Sequence, residues 1–345
     1  MTVDRIMSFL LAGPKTVPHS PGSGRAFFWV CALLACVAAL ALAGCASTPH
    51  GAAPLAYVPN EGSGTISIVD TTTDTVTGEI KTGGKPRGLA LSRDGRFIYV
   101  SDSPTNSLRI VDVQQRTVVG SVALGKSPEG VSISPDGRLV AVALEENDSV
   151  ALIDSATRQI VADIKVRGDN PEHAVFSPDG RWLYVSAEDA DTVDVIDVAA
   201  RKQVAEIKVG RRPRGIAFTP DGRLAYVACE IANTVYAIDV ASRKVLAAIK
   251  AGTFSNGLAM MPDGKRVYVS NGRDASVMAL DTATNRIVAT IAVGQRPWNM
   301  ALTPDGRKLY VANGRSNAVS VIDTATNTKI RDIPVGSLPW GVVIR

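Results

Sequence analysis

A repeat of about 42 residues runs through most of this chain and constrains its fold more than any other feature. An aspartate closes an apolar segment at near-constant intervals of 42 or 43 residues, at Asp70, Asp112, Asp154, Asp197, Asp239, Asp281 and Asp323. An Asp-Gly pair recurs with the same period, at Asp94, Asp136, Asp179, Asp221, Asp263 and Asp305. Because periods of about 40–45 residues are typical of propellers and solenoids, each copy is expected to be one structural unit.

Within each unit the hydrophobic pattern has a period of two, which is typical of β-strands. The segment Thr192–Asp197, TVDVID, shows this alternation. One unit contains four such short segments: Gly215–Thr219, Leu224–Cys229, Thr234–Asp239 and Lys244–Lys250. Four antiparallel strands per unit make a propeller blade, so the sequence predicts an all-β protein built from four-stranded blades.

The recurring aspartates have a structural explanation. In a Pro-Asp-Gly turn the proline sets φ, the aspartate side chain caps the turn and the glycine accepts a positive φ. The aspartates that end the Val-Ile-Asp type strands are suited to begin the next turn in the same way. We therefore interpret both sets as turn residues and not as a catalytic set.

The two ends of the repeat region predict how the repeats are arranged. The first unit starts at Leu55 and lacks its first strand, whereas the chain ends with a first strand alone, Pro339–Arg345. Together the two ends complete one blade. We therefore predict a seven-bladed β-propeller over residues 55–345, its ring closed by the C-terminal strand joining the N-terminal blade. A linear solenoid would more often end in atypical caps.

Several short motifs resemble a known family. Tyr310-Val-Ala-Asn313, Ser134-Pro-Asp-Gly137 and Val321-Ile-Asp-Thr-Ala-Thr326 are similar to the YVTN family of β-propeller repeats. Variants such as Tyr57-Val-Pro-Asn-Glu61 are also similar to propellers associated with PQQ-dependent catabolism. The resemblance implies the fold but no single activity, since propellers serve many functions. A Cys-x-x-Cys-His haem motif is absent from the sequence, so the redox activity of related haem and copper enzymes is not implied.

The N-terminus predicts export and lipid attachment. Arg25 precedes an unbroken apolar run of 17 residues, 26–42, as in a secretory signal. The run ends in Leu42-Ala-Gly-Cys45, which resembles the lipobox of bacterial lipoproteins. The resemblance implies a signal peptide at 1–44, lipid on Cys45 and a tether at 45–54. Because Ala46 follows the cysteine, it also implies that the protein is located on the periplasmic side of the outer membrane. A single transmembrane anchor is the alternative.

Composition excludes some classes of function. Lys and Arg exceed Asp and Glu by only four, 37 against 33, which argues against a nucleic-acid partner. The chain has three histidines, His19, His50 and His173, too few for a multi-histidine metal centre. Cleavage before Cys45 leaves only one other cysteine, Cys229, which we interpret as a small core residue. We expect a monomer.

The candidate site follows from where propeller blades vary. In such blades the start of the first strand and the end of the second open on the same face. The residues after the first proline, or its equivalent, are Arg87, Glu129, Glu172, Arg214, Asn256, Trp298 and Trp340. Asn299 then stands where most blades have glycine. The residues after the second strand are Glu61, Ser103, Glu145, Glu188, Glu230, Gly272 and Gly314. These positions predict a channel face that is charged in the middle blades and aromatic in the last.

Three functions are compatible with these residues, and binding is favoured over catalysis. The first is a noncatalytic binding or scaffold module, whose tryptophans suit a planar or sugar-like ligand and whose faces suit a periplasmic protein partner. The second is an accessory of PQQ-dependent oxidation, in which Arg87 and Arg214 pair with the cofactor's carboxylates. The third is a lactonase-like hydrolase or lyase, with His173 as the catalytic acid/base and a divalent cation or Arg214 as the electrophilic stabiliser. The candidate ligands of that cation are His173, Glu172, Glu188 and Glu230. The sequence does not single out the ligand or the partner.

Overall fold

The computed structural model describes residues 54–345. The predicted signal peptide, the lipidation site Cys45 and all but the last residue of the predicted tether lie outside this range. Within it, seven four-stranded antiparallel sheets form the blades of a propeller. No helix in residues 54–345 is long and apolar enough to cross a membrane.

The chain forms 28 strands, four to a blade. Blade 1 contains β1 (Leu55–Asn60), β2 (Thr65–Asp70), β3 (Thr75–Lys81) and the last strand, β28 (Val343–Ile344). Blade 2 contains β4 (Pro86–Leu91), β5 (Phe97–Asp102), β6 (Ser107–Asp112) and β7 (Thr117–Ala123). Blade 3 contains β8 (Pro128–Ile133), β9 (Leu139–Leu144), β10 (Ser149–Asp154) and β11 (Gln159–Lys165). Blade 4 contains β12 (Pro171–Phe176), β13 (Trp182–Ala187), β14 (Thr192–Asp197) and β15 (Lys202–Lys208).

The remaining blades repeat this plan. Blade 5 contains β16 (Pro213–Phe218), β17 (Leu224–Cys229), β18 (Thr234–Asp239) and β19 (Lys244–Lys250). Blade 6 contains β20 (Ser255–Met260), β21 (Arg266–Asn271), β22 (Ser276–Asp281) and β23 (Arg286–Ala292). Blade 7 contains β24 (Pro297–Leu302), β25 (Lys308–Asn313), β26 (Ala318–Asp323) and β27 (Thr328–Pro334). The only helical segments in 54–345 are two single 3₁₀ turns, Ser103–Thr105 and Glu145–Asn147.

The C-terminal strand closes the ring, as the split repeat predicts. In blade 1 the strand order is β28-β1-β2-β3, so the end of the chain supplies the innermost strand. The Arg345 N–H donates to the Leu55 carbonyl at 3.0 Å, and the Trp340 N–H donates to the Pro59 carbonyl at 3.0 Å. The edge that β1 would otherwise expose is thereby paired, which removes a site for aggregation.

The turn aspartates have the structural role that the sequence indicates. In blade 3, Asp136 Oδ1 accepts a hydrogen bond from Ser134 Oγ at 2.6 Å and one from the Arg138 N–H at 3.0 Å. Gly137 has a φ of 76°, in the left-handed region that glycine occupies without strain. At the other kind of turn, Asp281 Oδ1 accepts from the Thr284 N–H at 2.8 Å. In both kinds of turn the aspartate side chain thus accepts a hydrogen bond from a backbone N–H group.

The core lies between neighbouring blades and contains a tyrosine at one position of most second strands. The Oη of Tyr268 in blade 6 donates to Asn327 Oδ1 in blade 7 at 2.8 Å, which links the two sheets. Tyr226 makes the equivalent bond to Asn285 at 3.2 Å. Cys229 is fully buried in this core, and burial raises the pKa of its thiol to about 12. Cys229 is therefore an unreactive core residue, as predicted.

Candidate functional site

A β-bulge at the start of the innermost strand directs the variable side chains into the channel. In blade 2, Pro86 pairs with Asp102 and Leu89 with Val100, so Arg87 and Gly88 lie opposite one residue, Ser101. Ser101 Oγ accepts the Gly88 N–H at 2.9 Å, a bond that the disturbed strand pairing does not supply. The innermost strands of blades 3 to 7 show the same irregularity. Bulges re-aim side chains in this way.

Five of the seven blades have a glycine after the bulge position, where the channel is narrow, and blades 4 and 7 have His173 and Asn299 there. A Cβ added to Gly215 would lie 2.5 Å from the carbonyl oxygen of Asn256 in the next blade, closer than real Cβ contacts. The innermost strands therefore pack backbone against backbone, and the side chains of the preceding position extend to the mouth of the channel. The Asp-Gly turns lie at the opposite end of these strands.

The mouth of the channel holds a cavity of about 330 Å³ lined by twelve residues. All eight predicted ligand-binding residues line it: Arg87, Glu129, Glu172, Arg214, Asn256, Trp298, Asn299 and Trp340. The other four are Glu61, Glu145, Arg212 and Arg296. The structure thus brings the predicted positions of all seven blades together at one place. We call this cavity the channel mouth.

Ion pairs between blades hold the charged side chains of the channel mouth. Arg214 Nη1 donates to Glu172 Oε1 at 2.5 Å. Its Nε lies 2.5 Å from Glu188 Oε1 and 3.3 Å from Glu230 Oε2. Arg87 pairs with Glu61 at 3.1 Å and with Glu129. The side chains of Glu129, Glu172 and Glu188 are almost fully buried, whereas those of Arg87 and Arg214 are partly exposed. The arginines therefore present the more accessible surface of these ion pairs.

Two further arginines, which sequence reasoning missed, extend this network. Arg212 Nε donates to Glu188 Oε2 at 2.9 Å, and Arg296 Nη2 donates to Glu230 Oε1 at 3.0 Å. Each stands directly before the first proline of its blade, with φ of 59° and 55°. That left-handed conformation is unusual for a residue before proline. An Arg-Pro pair at both places was the available signal in the sequence.

Burial divides the carboxyl groups of the network into ionised and protonated forms. Burial, together with the Glu172 charge, raises the pKa of Glu129 to about 9 and that of Glu188 to about 7. Burial acts in the same direction on Glu172, but the charges of Arg214, His173 and Arg87 together outweigh it and lower the pKa of Glu172. The six glutamates of the network exceed its four arginines by two. The two raised pKa values offset this excess near neutral pH.

The other side of the channel mouth is aromatic and uncharged. A Cβ at Gly314 would lie 3.0 Å from the Trp298 ring, so the indole occupies the space that a side chain takes in other blades. Trp340, from the closing strand, stacks on His173 of blade 4 with ring centroids 5.6 Å apart and planes 16° from parallel. The stack crosses the channel. The mouth therefore presents a charged wall opposite an indole and amide wall.

The structure does not bring the four predicted metal ligands together. His173 lines a second, deeper cavity of about 150 Å³, and Trp340 and Asn299 line both cavities. Burial lowers the pKa of His173 and outweighs the opposing charge of Glu172, and Arg214 lowers it further. The carboxyl groups that converge within 4.8 Å are Glu145, Glu172 and Glu188. Glu172 and Glu188 already contact Arg214, which competes with a cation for the same oxygens.

Comparison with known proteins agrees with the geometry. A sequence model of the family described as YNCE-like beta-propeller matches residues 25–344. The chain is similar to a solved structure of Kuenenia stuttgartiensis hydrazine synthase, with 27% identity and a TM-score of 0.72 over 78% of this chain and 92% of that one. A functionally unknown protein from Desulfotomaculum acetoxidans DSM 771 shares the fold, with 20% identity and a TM-score of 0.74 over 84% and 98%. No curated protein matches the chain.

Proposed function

The chain belongs to the YNCE-like beta-propeller family, and from this premise we propose that it is a noncatalytic binding module that holds a small, sugar-like ligand at the channel mouth. The observation that carries the proposal is the convergence of one variable residue from every blade on a single cavity of about 330 Å³. That volume lies at the lower end of small-molecule sites, which span about 300–1,000 Å³.

The charged wall supports a ligand that carries hydroxyl groups. Its guanidinium groups are the more exposed side of the ion pairs and donate hydrogen bonds, and the oxygen of a hydroxyl group accepts them. Because Arg214 and Arg87 are already held by glutamates, the wall is fixed before a ligand arrives, which lowers the entropy cost of binding.

The aromatic wall supports a ligand with an apolar face. Trp298 and Trp340 present indole rings of large area and low conformational entropy. The C–H face of a sugar ring or a flat ring fits against such a surface. Asn256 and Asn299 beside them add amide donors and acceptors that fix orientation.

The same contacts weigh against the two alternatives considered from the sequence. A PQQ accessory would need Arg87 and Arg214 for the carboxylates of the cofactor, yet each is engaged by buried glutamates. A lactonase-like reaction would need His173 beside the metal carboxylates, but His173 lines the deeper cavity and stacks on Trp340.

A calorimetric titration with monosaccharides tests the proposal. We expect at least one sugar to bind saturably to the full-length chain and the Trp298→Ala variant to lose that binding. Trp182→Ala is the matched control, because Trp182 lies at the start of β13, away from the mouth, under Arg181 and Arg243. Binding that survives Trp298→Ala unchanged, or the absence of saturable binding by any sugar, would refute the proposal.

We also propose that the module is attached through lipid on Cys45 to the periplasmic side of the outer membrane. The support is the sequence Leu42-Ala-Gly-Cys45 after an apolar run. Labelling cells with a tagged fatty acid tests this: the label should enter the chain and be absent from Cys45→Ser. Label that persists in that variant would contradict the proposal.

A further inference from the structure

A second groove lies on the same face of the propeller, beside the channel mouth. It has a volume of about 560 Å³ and runs between the loops that lead into blades 6, 7 and 1. Its lining includes Phe254, Arg273, Arg315 and Leu338, none of which lines the channel mouth. Arg296 and Trp298 stand between the two cavities and line both. We call it the rim groove.

The rim groove combines cationic and aromatic groups. The Arg273 guanidinium lies 3.9 Å from the centroid of the Phe254 ring, and that of Arg296 lies 5.4 Å from the same ring. Arg296 is also 5.9 Å from the Trp298 ring. A guanidinium group that stacks on an aromatic face keeps its N–H edge free to bind a carboxylate with two hydrogen bonds.

The positive charge of the rim groove is not neutralised by its own lining. No carboxyl group lines it, and Arg273 and Arg315 form no ion pair with any residue in 54–345. Glu230 binds Arg296 from the channel side, and Asp274 accepts the Thr253 N–H at 2.6 Å. Burial, with Arg214 and Arg315 as like charges, lowers the pKa of Arg296. An anion between these arginines would relieve their repulsion.

Apolar surface completes the groove. Leu338 is 38% exposed at one wall, and the rings of Phe254 and Trp298 contribute the others. A purely ionic ligand such as inorganic phosphate would leave these surfaces in contact with water. A ligand with a flat apolar body and one carboxylate would cover them and pair with the arginines together.

We propose that the rim groove is a binding site for an aromatic carboxylate. Arg273 and Arg315 bind the carboxylate, and the rings of Phe254 and Trp298 hold the aromatic body. The inference does not rest on the identity of the ligand at the channel mouth: Trp298 lines both cavities, but Arg273 and Arg315 line only the rim groove.

The test is a titration of the full-length chain with 2-naphthoate by calorimetry. The neutral analogue 2-naphthamide has the same body without the charge. We expect it to bind at least about tenfold more weakly, since it cannot form charge-assisted hydrogen bonds. The variant carrying both Arg273→Gln and Arg315→Gln should weaken naphthoate binding by about the same factor for the same reason. Arg331→Gln is the matched control: it removes one exposed positive charge from β27 and should leave the affinity unchanged.

Each result bears directly on the proposal. Naphthoate that binds the double arginine variant as tightly as the unaltered chain would place the site elsewhere and overturn it. Equal affinity for naphthamide would show apolar binding without carboxylate recognition and would overturn the proposal. Displacement of naphthoate by an equal concentration of inorganic phosphate would show plain anion attraction and would also overturn it. Since Arg273 and Arg315 are exposed, the variants should melt at the same temperature as the unaltered chain. Sugar binding at the channel mouth is expected to persist in them.

Discussion

Replacing Glu188 with glutamine should change how the stability of the propeller depends on pH. Glu188 is buried against Arg212 and Arg214, two arginines that line the channel mouth, and its side chain is 2% exposed. Burial, and then the charge of Glu172, raises its pKa from 4.5 to about 7. The folded protein therefore holds this proton more tightly than the unfolded chain does. The resulting stability is fully present below pH 4.5 and is lost as the pH rises to about 7.

The magnitude follows from the size of the shift. One pKa unit corresponds to about 1.4 kcal/mol, so the shift from 4.5 to about 7 represents about 3 kcal/mol. Glutamine carries no proton to lose and removes this contribution to the pH dependence. The difference in the free energy of unfolding between the unaltered chain and Glu188→Gln should therefore shift by about 3 kcal/mol, against the unaltered chain, from pH 4.5 to 8.

Urea unfolding at a series of pH values from 4.5 to 8 measures this difference. Titrating groups that do not interact with Glu188 contribute to both curves and cancel in the subtraction. Glu79→Gln, on the exposed outer strand β3, is the control, because it makes the same substitution at a position that is not buried. A pH-independent difference for Glu188→Gln would refute the claim that this carboxyl group is held protonated by its surroundings.

Three further predictions follow from the fold. Tyr268→Phe removes an inter-sheet hydrogen bond of 2.8 Å and should lower the free energy of unfolding by about 1 kcal/mol. Tyr184→Phe should leave the free energy of unfolding nearly unchanged, because the Tyr184 Oη has no hydrogen-bond partner among residues 54–345. Urea unfolding of both variants measures the two effects. Cys229 should resist iodoacetamide in the folded protein at pH 8 and react fully in urea, as read by peptide mass spectrometry, because its thiol is buried with a pKa of about 12. Deleting residues 339–345 removes the innermost strand of blade 1 and should destabilise the protein by more than about 4 kcal/mol, seen as a lower melting temperature.

The sequence predicted the fold well because the information that specifies a blade is local. The Asp136-Gly137 turn and the strand that ends at Asp281 each depend on residues within a few positions, and such patterns can be read along the chain. The ring closure was also predictable, because the incomplete units at Leu55 and Pro339 complement each other. The membership of the eight predicted residues in one cavity followed from the repeat alone.

The chemistry of the site was less predictable because it depends on bulges and on contacts between blades. His173 is adjacent to Glu172 in sequence, but Glu172 lines the channel mouth and His173 lies in the deeper cavity. Arg212 and Arg296 belong to the ion-pair network and have a left-handed backbone conformation. A hydrophobic pattern does not predict this conformation. The pKa of Glu188 depends on burial under partners from other parts of the ring, which the repeat does not encode.

The closure of the ring by β28 also fixes the direction in which the protein can be attached to anything else. Leu55 and Arg345 pair side by side, and the Arg345 side chain donates to the Gly95 carbonyl in an Asp-Gly turn at 3.4 Å. Glu61, at the far end of β1, lines the channel mouth. Both ends of the described chain thus emerge on the face opposite the mouth. A fusion partner, an affinity tag or a sensor chip joined at either end leaves the mouth facing the solution.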